Sequence, residues 1–362
     1  MRLFFDARYI RTDFHDGISR YSQELAHAVA AAAAADVELT FLIHDPAQAP
    51  LLPEGARTLL LHAPTSVREP FTARILNRHR PDVVYTPMQT MGSAGRRFRL
   101  ILTLHDTIYY RHRTPPRSLS WPVRLGWRLF HLSYLPQRLT LNAADLVVTV
   151  SETSRRQFAA ARLTERPVVV VPNAPQRLAD LLPAGAVTGG APRHVVYMGS
   201  FMAYKNVETI VRAMAELPGR TLHLLSRIAP GRRAELQALA PAGADIVFHD
   251  GVTDAEYAAL LADDGVLATL SLDEGYGLPI AEALALGVPA VVSDLEIFHE
   301  VAGLGAEYVP ATDAAAFAAA VRALDDDRTR AAVIAAGRAH IARFTWARSA
   351  GILLDAVGSL AG

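Results

Sequence analysis

Short apolar runs alternate with stretches of helical spacing along nearly the whole chain. In the first half the runs read as strands: RLFFD (2–6), VELTFLIH (37–44), RTLLLHA (57–63), DVVYT (82–86), LILTLHD (100–106), DLVVTVS (145–151) and PVVVVPN (167–173). Helical patterns fall between most of them, as at 18–35, 67–79 and 151–162. The rhythm pauses at APQRLADLLPAGAVTGGAPR (174–193), whose prolines and glycines read as an interdomain linker. It restarts with HVVYMGS (194–200), TLHLLS (221–226), DIVFHD (245–250), VLATLS (266–271) and PAVVSD (289–294). Helices are predicted between these strands, and two or three more finish the chain. Strands that are apolar throughout are covered on both faces, which is the mark of parallel sheets. The pattern therefore predicts an α/β protein of two tandem doubly wound, Rossmann-like domains. They span 1–178 and 192–345, with a last helix near 346–362 returning to the first. In such sheets ligands bind beyond the carboxyl ends of the strands, and two facing domains would enclose a cleft.

Composition narrows the class. Of 362 residues, 51% are hydrophobic and 20% charged, enough to bury sizeable cores. No apolar run has the ~18–20 residues of a membrane span. The start MRLFFDARYI carries Arg2 and Asp6 where a secretion signal needs an apolar core, so a cytoplasmic protein is expected. There is no cysteine, which excludes disulfides and thiolate metal sites. Net charge is zero but unevenly spread. Residues 1–178 hold 23 arginines against 14 acids, and residues 179–362 hold 13 cations against 22 acids. Opposed halves suggest different partners for each. All the cations but one are arginine; the exception is Lys205.

The densest chemistry lies in SLDEGYGLPIAEALALGVPAVVSD (271–294). Pro279 stands where a helix would begin and Gly287 just past its end. The unpaired N–H groups of that helix start favour an anion such as a diphosphate, and Gly275 and Gly277 let the backbone come close. Glu282, about one turn inside, can accept two ribose hydroxyls. Glu274, on the loop before the helix, can reach the hydroxyls of a sugar carried beyond the diphosphate. A glutamate that merely stabilises a helix dipole, by ~0.3–1 kcal/mol, explains Glu282 as well but Glu274 poorly. No G-x-G-x-x-G follows a strand and no Walker loop is present, against dinucleotide oxidoreductases and ATPases.

EGYGLPIAEALALGVPAVVSD closely resembles the E-x7-E signature of retaining glycosyltransferases of family four, which have the GT-B fold. The similarity extends along the chain: DARYIRTDFHDGISRYSQELAHAV (6–29), LTLHDTIYY (102–110), VVTVSETSRRQF (147–158), VVPNAP (170–175), YMGSFMAYKNVETIVRAM (197–214) and FTWARSA (344–350). The resemblance implies that the second domain binds a nucleotide sugar. It assigns Lys205 to the leaving phosphate, Glu282 to the ribose and Glu274 to the donor sugar. Gly199, Gly275, Tyr276, Gly277 and Leu278 then lie along the donor. Ser200 stands where many relatives have an arginine; Arg227 either replaces that charge or is a solvated loop arginine. His105 corresponds to the active-site histidine near the reacting carbon, and makes a catalytic set with Glu274 and Lys205. Gly17 and Ile18, on the first glycine loop, bring backbone towards the transferred phosphate, and Arg20 is either an acceptor or phosphate contact or a surface arginine. Asp106 reads as a loop cap.

The implied function is retaining transfer of a hexose, mannose by mild preference, from a nucleotide sugar to a lipid-linked, glycan or small acceptor. No D-x-D-like acidic pair stands in a matching context, since DDD (325–327) falls in the helical tail and reads as a solvated cap, so neither metal nor other cofactor is expected. Residues 107–142 contain Arg111, Arg113, Arg117, Arg124, Arg128 and Arg138, no acid, and Trp121, Trp127, Phe130 and Tyr134. The spacing of Ser120, Arg124, Trp127, Arg128 and His131 suggests an amphipathic helix. Either it lies on an anionic membrane surface, making the enzyme peripheral on the inner face, or its aromatics pack into the core. Nothing resembles a nucleic-acid module. A sugar-nucleotide epimerase on the same fold and a non-catalytic sugar-nucleotide binder are the alternatives.

Overall fold

The computed structural model describes residues 1–13, 16–115, 121–186 and 188–361, without the Pro122 side chain. Phe14 and His15 of the opening segment, and Arg117 and Ser120 of the basic stretch, lie outside the described residues. The chain divides into two compact units, Met1–Asn173 with Phe344–Gly362, and Ala174–Arg343.

The first unit carries β1 (Arg2–Asp6), β2 (Glu38–Ile43), β3 (Thr58–Leu60), β4 (Val83–Thr86), β5 (Arg99–Thr103), β6 (Leu146–Thr149) and β7 (Val168–Val170). They form one parallel sheet in the order β3-β2-β1-β4-β5-β6-β7. The order reverses at β1, the doubly wound arrangement. β4 and β6 are buried at every position, as strands covered on both faces must be. At the centre Phe5 pairs in register with Phe41 on one side and Tyr85 on the other. Around the sheet run α1 (Gly17–Ala32), α2 (Thr72–Leu76), α3 (Ile108–Arg111), α4 (Trp121–Phe130), α5 (Leu135–Asn142) and α6 (Glu152–Ala160). α1 starts because the Asp16 carboxylate accepts the Ser19 N–H, and it buries Tyr21, Leu25, Ala26 and Val29 on one stripe.

The second unit carries β8 (His194–Tyr197), β9 (Thr221–Leu224), β10 (Asp245–Phe248), β11 (Gly265–Thr269), β12 (Ala290–Ser293) and β13 (Glu307–Val309). Their order is β10-β9-β8-β11-β12-β13, again with the reversal at the first strand. Its helices are α7 (Val207–Ala213), α8 (Pro230–Leu239), α9 (Asp254–Ala262), α10 (Leu278–Leu286), α11 (Glu296–Ala302), α12 (Ala314–Ala323) and α13 (Asp327–Ile341). Val195, Tyr197, Leu222, Leu224, Val266 and Ala268 meet Ile210, Leu236 and Phe317 in its core. The last helix, α14 (Trp346–Ala361), packs on α1 in the first unit.

Three expectations change. The pattern over 67–79 is not one helix but two 3-10 turns flanking the five-residue α2, with Pro70 in the first turn and Arg80 left-handed at the end. β13 has no counterpart among the predicted strands; it is three residues long, too short to show a period. The segment 174–193 is no free linker. It belongs to the second unit, where its 3-10 turn Leu178–Leu181 packs on α9. Gln176 donates to Asp254 at 2.9 Å and Thr188 to the Leu286 carbonyl at 3.0 Å.

Candidate functional site

In the second unit two loops are tied together beyond the carboxyl ends of β8 and β11. A 3-10 turn, Ala203–Lys205, ends at Asn206, whose φ of 50° and ψ of 42° are left-handed, a conformation asparagine tolerates. The Asn206 side-chain amide donates to the carbonyls of Leu270 at 3.0 Å and Ala311 at 2.6 Å, and its oxygen accepts from Thr209 at 2.9 Å. The Leu272 N–H bonds the Tyr204 carbonyl at 2.7 Å. Ser293 holds the far side by donating to the Ser271 carbonyl at 2.6 Å. These bonds bring Lys205 to Glu274: the ammonium donates to both carboxylate oxygens, at 2.8 and 2.6 Å. The two side chains are 16% and 15% exposed, sheltered but open to solvent.

The same loop runs into α10. Gly277 caps the helix with φ 98°, and a Cβ there would lie 3.0 Å from the Phe298 ring, so only glycine fits without strain. Ile280 and Ala281 close the first turn onto the Gly277 carbonyl. The N–H groups that precede them have no partner within the helix, and the dipole adds positive potential there. Glu282 lies one turn beyond Leu278 on the same helix face and is only 3% exposed. Gly275, Tyr276 and Gly277 are buried, and Leu278 and Pro279 half-buried. Burial, and then the Glu300 charge, push the Tyr276 phenol above its ordinary pKa.

Gly199 and Ser200 follow β8. The buried Tyr197 hydroxyl donates to the Ser200 carbonyl at 2.6 Å, and Ser226 accepts the Gly199 N–H at 3.1 Å. Burial first, and Glu274 next, hold the Tyr197 phenol well above its ordinary pKa, so it stays a donor. Arg227, after β9, is exposed, with its stem against Gly251.

In the first unit His105 sits two residues past β5. Its Nε2 lies 2.8 Å from the Pro87 carbonyl, which can only accept, so Nε2 carries the proton and Nδ1 is left as an acceptor. Burial lowers its pKa against the opposing effect of that carbonyl, keeping the ring neutral near pH 7. Ser154, in the first turn of α6, donates to the His105 carbonyl at 3.0 Å, and Ser151 caps that helix. The Tyr21 ring meets His105 edge-on at 5.1 Å, and Trp346 meets Tyr21 at 5.9 Å. Asp106 caps its own loop, accepting the Ile108 N–H at 2.9 Å. Gly17 and Ile18 are not on a loop but in the first turn of α1, because Asp16 starts the helix one residue earlier than the apolar pattern does.

A family model described as "Glycosyl transferase 4-like domain" matches residues 16–174, and one described as "Glycosyl transferases group 1" matches residues 192–327. The O-antigen chain mannosyltransferase B of Escherichia coli is similar, 27% identical over 266 residues, covering 68% of this chain and 67% of the relative. The chain belongs to the GT-B glycosyltransferases of the family-four kind. The phosphatidyl-myo-inositol mannosyltransferase of Mycobacterium leprae is 29% identical to this glycosyltransferase over 268 residues, 67% of this chain and 70% of that one. Anabaena HepE, solved in complex with UDP and glucose, shares the fold with a TM-score of 0.72 at 15% identity, covering 99% of each chain.

The arginine-rich stretch of this glycosyltransferase has two faces. Inward, Trp127 and His131 pack at 4.1 Å, Tyr109 meets Trp127 at 5.2 Å, and Tyr110 meets Tyr134 at 4.3 Å. Outward, α4 and α5 present Trp121, Val123, Leu125, Leu129, Leu132, Leu135 and Leu139, all exposed, with Arg128 among them. The aromatics thus pack on one another, buried or half-buried, while the other face carries exposed apolar side chains among arginines. Arg124 is half-buried, and the exposed Arg111 and Arg113 bond Thr107 and the Tyr110 carbonyl. No helix among the described residues is long and apolar enough to cross a membrane.

Two features had no signal in the sequence. Arg232 of α8 donates to the Phe201 carbonyl at 3.2 Å while bonding Glu208 and Glu235, so it braces the loop before Lys205. Asp6, Arg8 and Glu69 form a buried ion cluster at the end of β1. Glu69 lies 61 positions from Arg8, and Phe201 and Glu208 lie 31 and 24 from Arg232, so only the fold brings these together.

Proposed function

We propose that this glycosyltransferase moves a hexose, with mannose favoured, from a nucleoside-diphosphate sugar to a hydroxyl of a lipid-linked or glycan acceptor, with retention at the anomeric carbon. The observation that carries the reading is the Lys205–Glu274 pair beside the amino end of α10: one ammonium, one helix dipole, Glu274 on the loop after β11 and Glu282 inside the helix. Mannose rests on the similarity to the two mannosyltransferases, and the nucleotide sugar on the family and on HepE's bound UDP and glucose.

As the bond from C1 to the diphosphate breaks, negative charge grows on the departing phosphate. Lys205 and the first turn of α10 stabilise that charge where it develops. Glu282 holds the ribose hydroxyls. Glu274 holds the hexose, with the backbone of Gly275, Tyr276, Gly277 and Leu278 beside the phosphates and that of Gly199 and Ser200 along the donor. Arg227 adds positive potential to the same end of the sheet. His105, neutral with Nδ1 as acceptor, takes a hydrogen bond from a sugar hydroxyl near C1. The backbone of Gly17 and Ile18, at the amino end of α1, attracts the negative charge of the departing phosphate. Both glutamates bind hydroxyls, so the acceptor attacks on the face the phosphate leaves, and no covalent sugar–enzyme intermediate forms. The lysine and the helix supply the positive charge, so the reaction needs no metal and continues in EDTA. The outward face of α4 and α5, with Arg111, Arg113 and Arg128 nearby, lies on an anionic membrane that presents the acceptor.

Incubation with radiolabelled GDP-mannose and UDP-glucose tests the reading. Slow release of free sugar supports a transferase, an epimerised nucleotide sugar supports an epimerase, and no reaction with either refutes the proposal. Glu282→Ala is expected to weaken nucleotide affinity roughly tenfold or more, and Glu274→Ala mainly to lower turnover. Wild-type behaviour in both variants rules the site out.

A further inference from the structure

We infer that the Lys205–Glu274 pair makes the donor site prefer an intact nucleotide sugar over the bare nucleoside diphosphate, and that Glu274 sets this preference. The inference rests on the proposed role of Lys205 as the diphosphate cation. It concerns what happens to the partner that lysine leaves behind.

Among the described residues neither member of the pair has a second ionic partner. The lysine's other close contact is the Tyr204 ring, 5.3 Å from Nζ. The neighbouring cation Arg232 is engaged by Glu208 and Glu235. A diphosphate that draws Lys205 away therefore strands Glu274. That carboxylate is 15% exposed, with buried Gly275 and Tyr276 following it in the chain, so water restores only part of what the ammonium gave.

The two ligands differ in what they offer this stranded group. A bare nucleoside diphosphate brings only anionic oxygens to the hexose subsite, and these repel a carboxylate. An intact donor brings sugar hydroxyls, which donate to it and replace the lost ammonium. The penalty for opening the pair thus falls on the spent nucleotide and is offset for the donor. Specificity of this kind comes from a penalty against the wrong ligand rather than from an added attraction for the right one. After transfer, Lys205 returning to Glu274 favours release of the nucleoside diphosphate.

Titration calorimetry of GDP, GDP-mannose, UDP and UDP-glucose tests this on the wild type, Glu274→Gln, Lys205→Met and the double variant, each checked for folding by circular dichroism. For whichever base binds, Glu274→Gln is expected to bind the nucleoside diphosphate about three- to tenfold tighter and to lose the preference for the sugar-bearing form. The gain should vanish in the Lys205→Met background. Unchanged or weaker diphosphate binding in Glu274→Gln, with Lys205→Met weakened, overturns the inference while leaving Lys205 on the phosphate. A gain that persists without the lysine also overturns it, since simple charge repulsion then suffices. If Lys205→Met binds nucleotides as the wild type does, the phosphate role fails, and the inference with it.

Discussion

Two ion pairs lie beyond the carboxyl ends of parallel strands, one in each unit, and they are built differently. At the end of β1 the Arg8 guanidinium is fully buried and bonds Asp6 at 2.8 and 2.9 Å, Glu69 at 2.8 and 3.0 Å and the His62 carbonyl at 3.1 Å. All five of its N–H donors are used. Burial opposes its charge, but the two carboxylates outweigh that and hold its pKa above the ordinary value. In the second unit Lys205 meets a single carboxylate, both groups partly open to water. The first cluster can exchange no partner without leaving a buried charge, so it is scaffold. The second can open towards a ligand, as a binding site must. Charge alone does not separate the two; burial and saturation do.

The largest effect should come from Arg8→Met, which strands two buried carboxylates and is expected to destabilise the protein by about 3–5 kcal/mol in urea unfolding. Lys205→Met strands one partly sheltered carboxylate and should lower stability by about 1–2 kcal/mol while removing transferase activity. Equal losses in the two variants would erase the distinction.

A smaller effect should come from a neutral counterpart of these clusters. His223 bonds His249 at 2.9 Å and His194 at 3.1 Å across β8, β9 and β10, with Asp263 beside His194 and Asp245 near Thr221. Burial, and then the charges of His194 and His249, pull the His223 pKa down to about 4. Its folded pKa lies below the unfolded value, so its contribution is intact above about pH 6.5 and is lost as pH falls towards 4. His223→Gln should flatten the pH dependence of thermal unfolding across that window. An unchanged slope would mean that the chain of histidines does not link protons to folding.

The smallest effect on folding is expected where burial plays no part. Leu129 and Leu139 are 59% and 68% exposed, so Leu129→Gln with Leu139→Gln should change stability by no more than about 0.5 kcal/mol each. The pair should nevertheless release the protein from anionic vesicles in a flotation assay. Retention on vesicles by the double variant would detach the apolar face from membrane binding.

Much of this was legible along the chain because it is local. DVVYT and DLVVTVS are apolar at successive positions, and only a strand covered on both faces uses such a run. Pro279 and Gly287 bracket α10 because each has one conformational use at a helix end. The donor-side residues were readable for the same reason: Glu274, Gly277 and Glu282 lie within nine residues of one another, and Lys205 is the only lysine. The rest was not readable because it is long-range or too short. β13 has no room for a period. The bonds of Asn206 to Leu270 and Ala311 span 64 and 105 positions. The break at 69–79 depends on how Pro70 and Arg80 sit, not on their apolar spacing.

The order of strands and helices, the family, and which residue types stand ready for phosphate and sugar were determined by the sequence itself, since periodicity and helix punctuation act over a few residues. Which charges are sealed and which remain exchangeable was decided by tertiary structure alone. Solvation and partner number depend on what packs around a side chain, and Lys205 meets Glu274, and Arg8 meets Glu69, only after the sheets have formed.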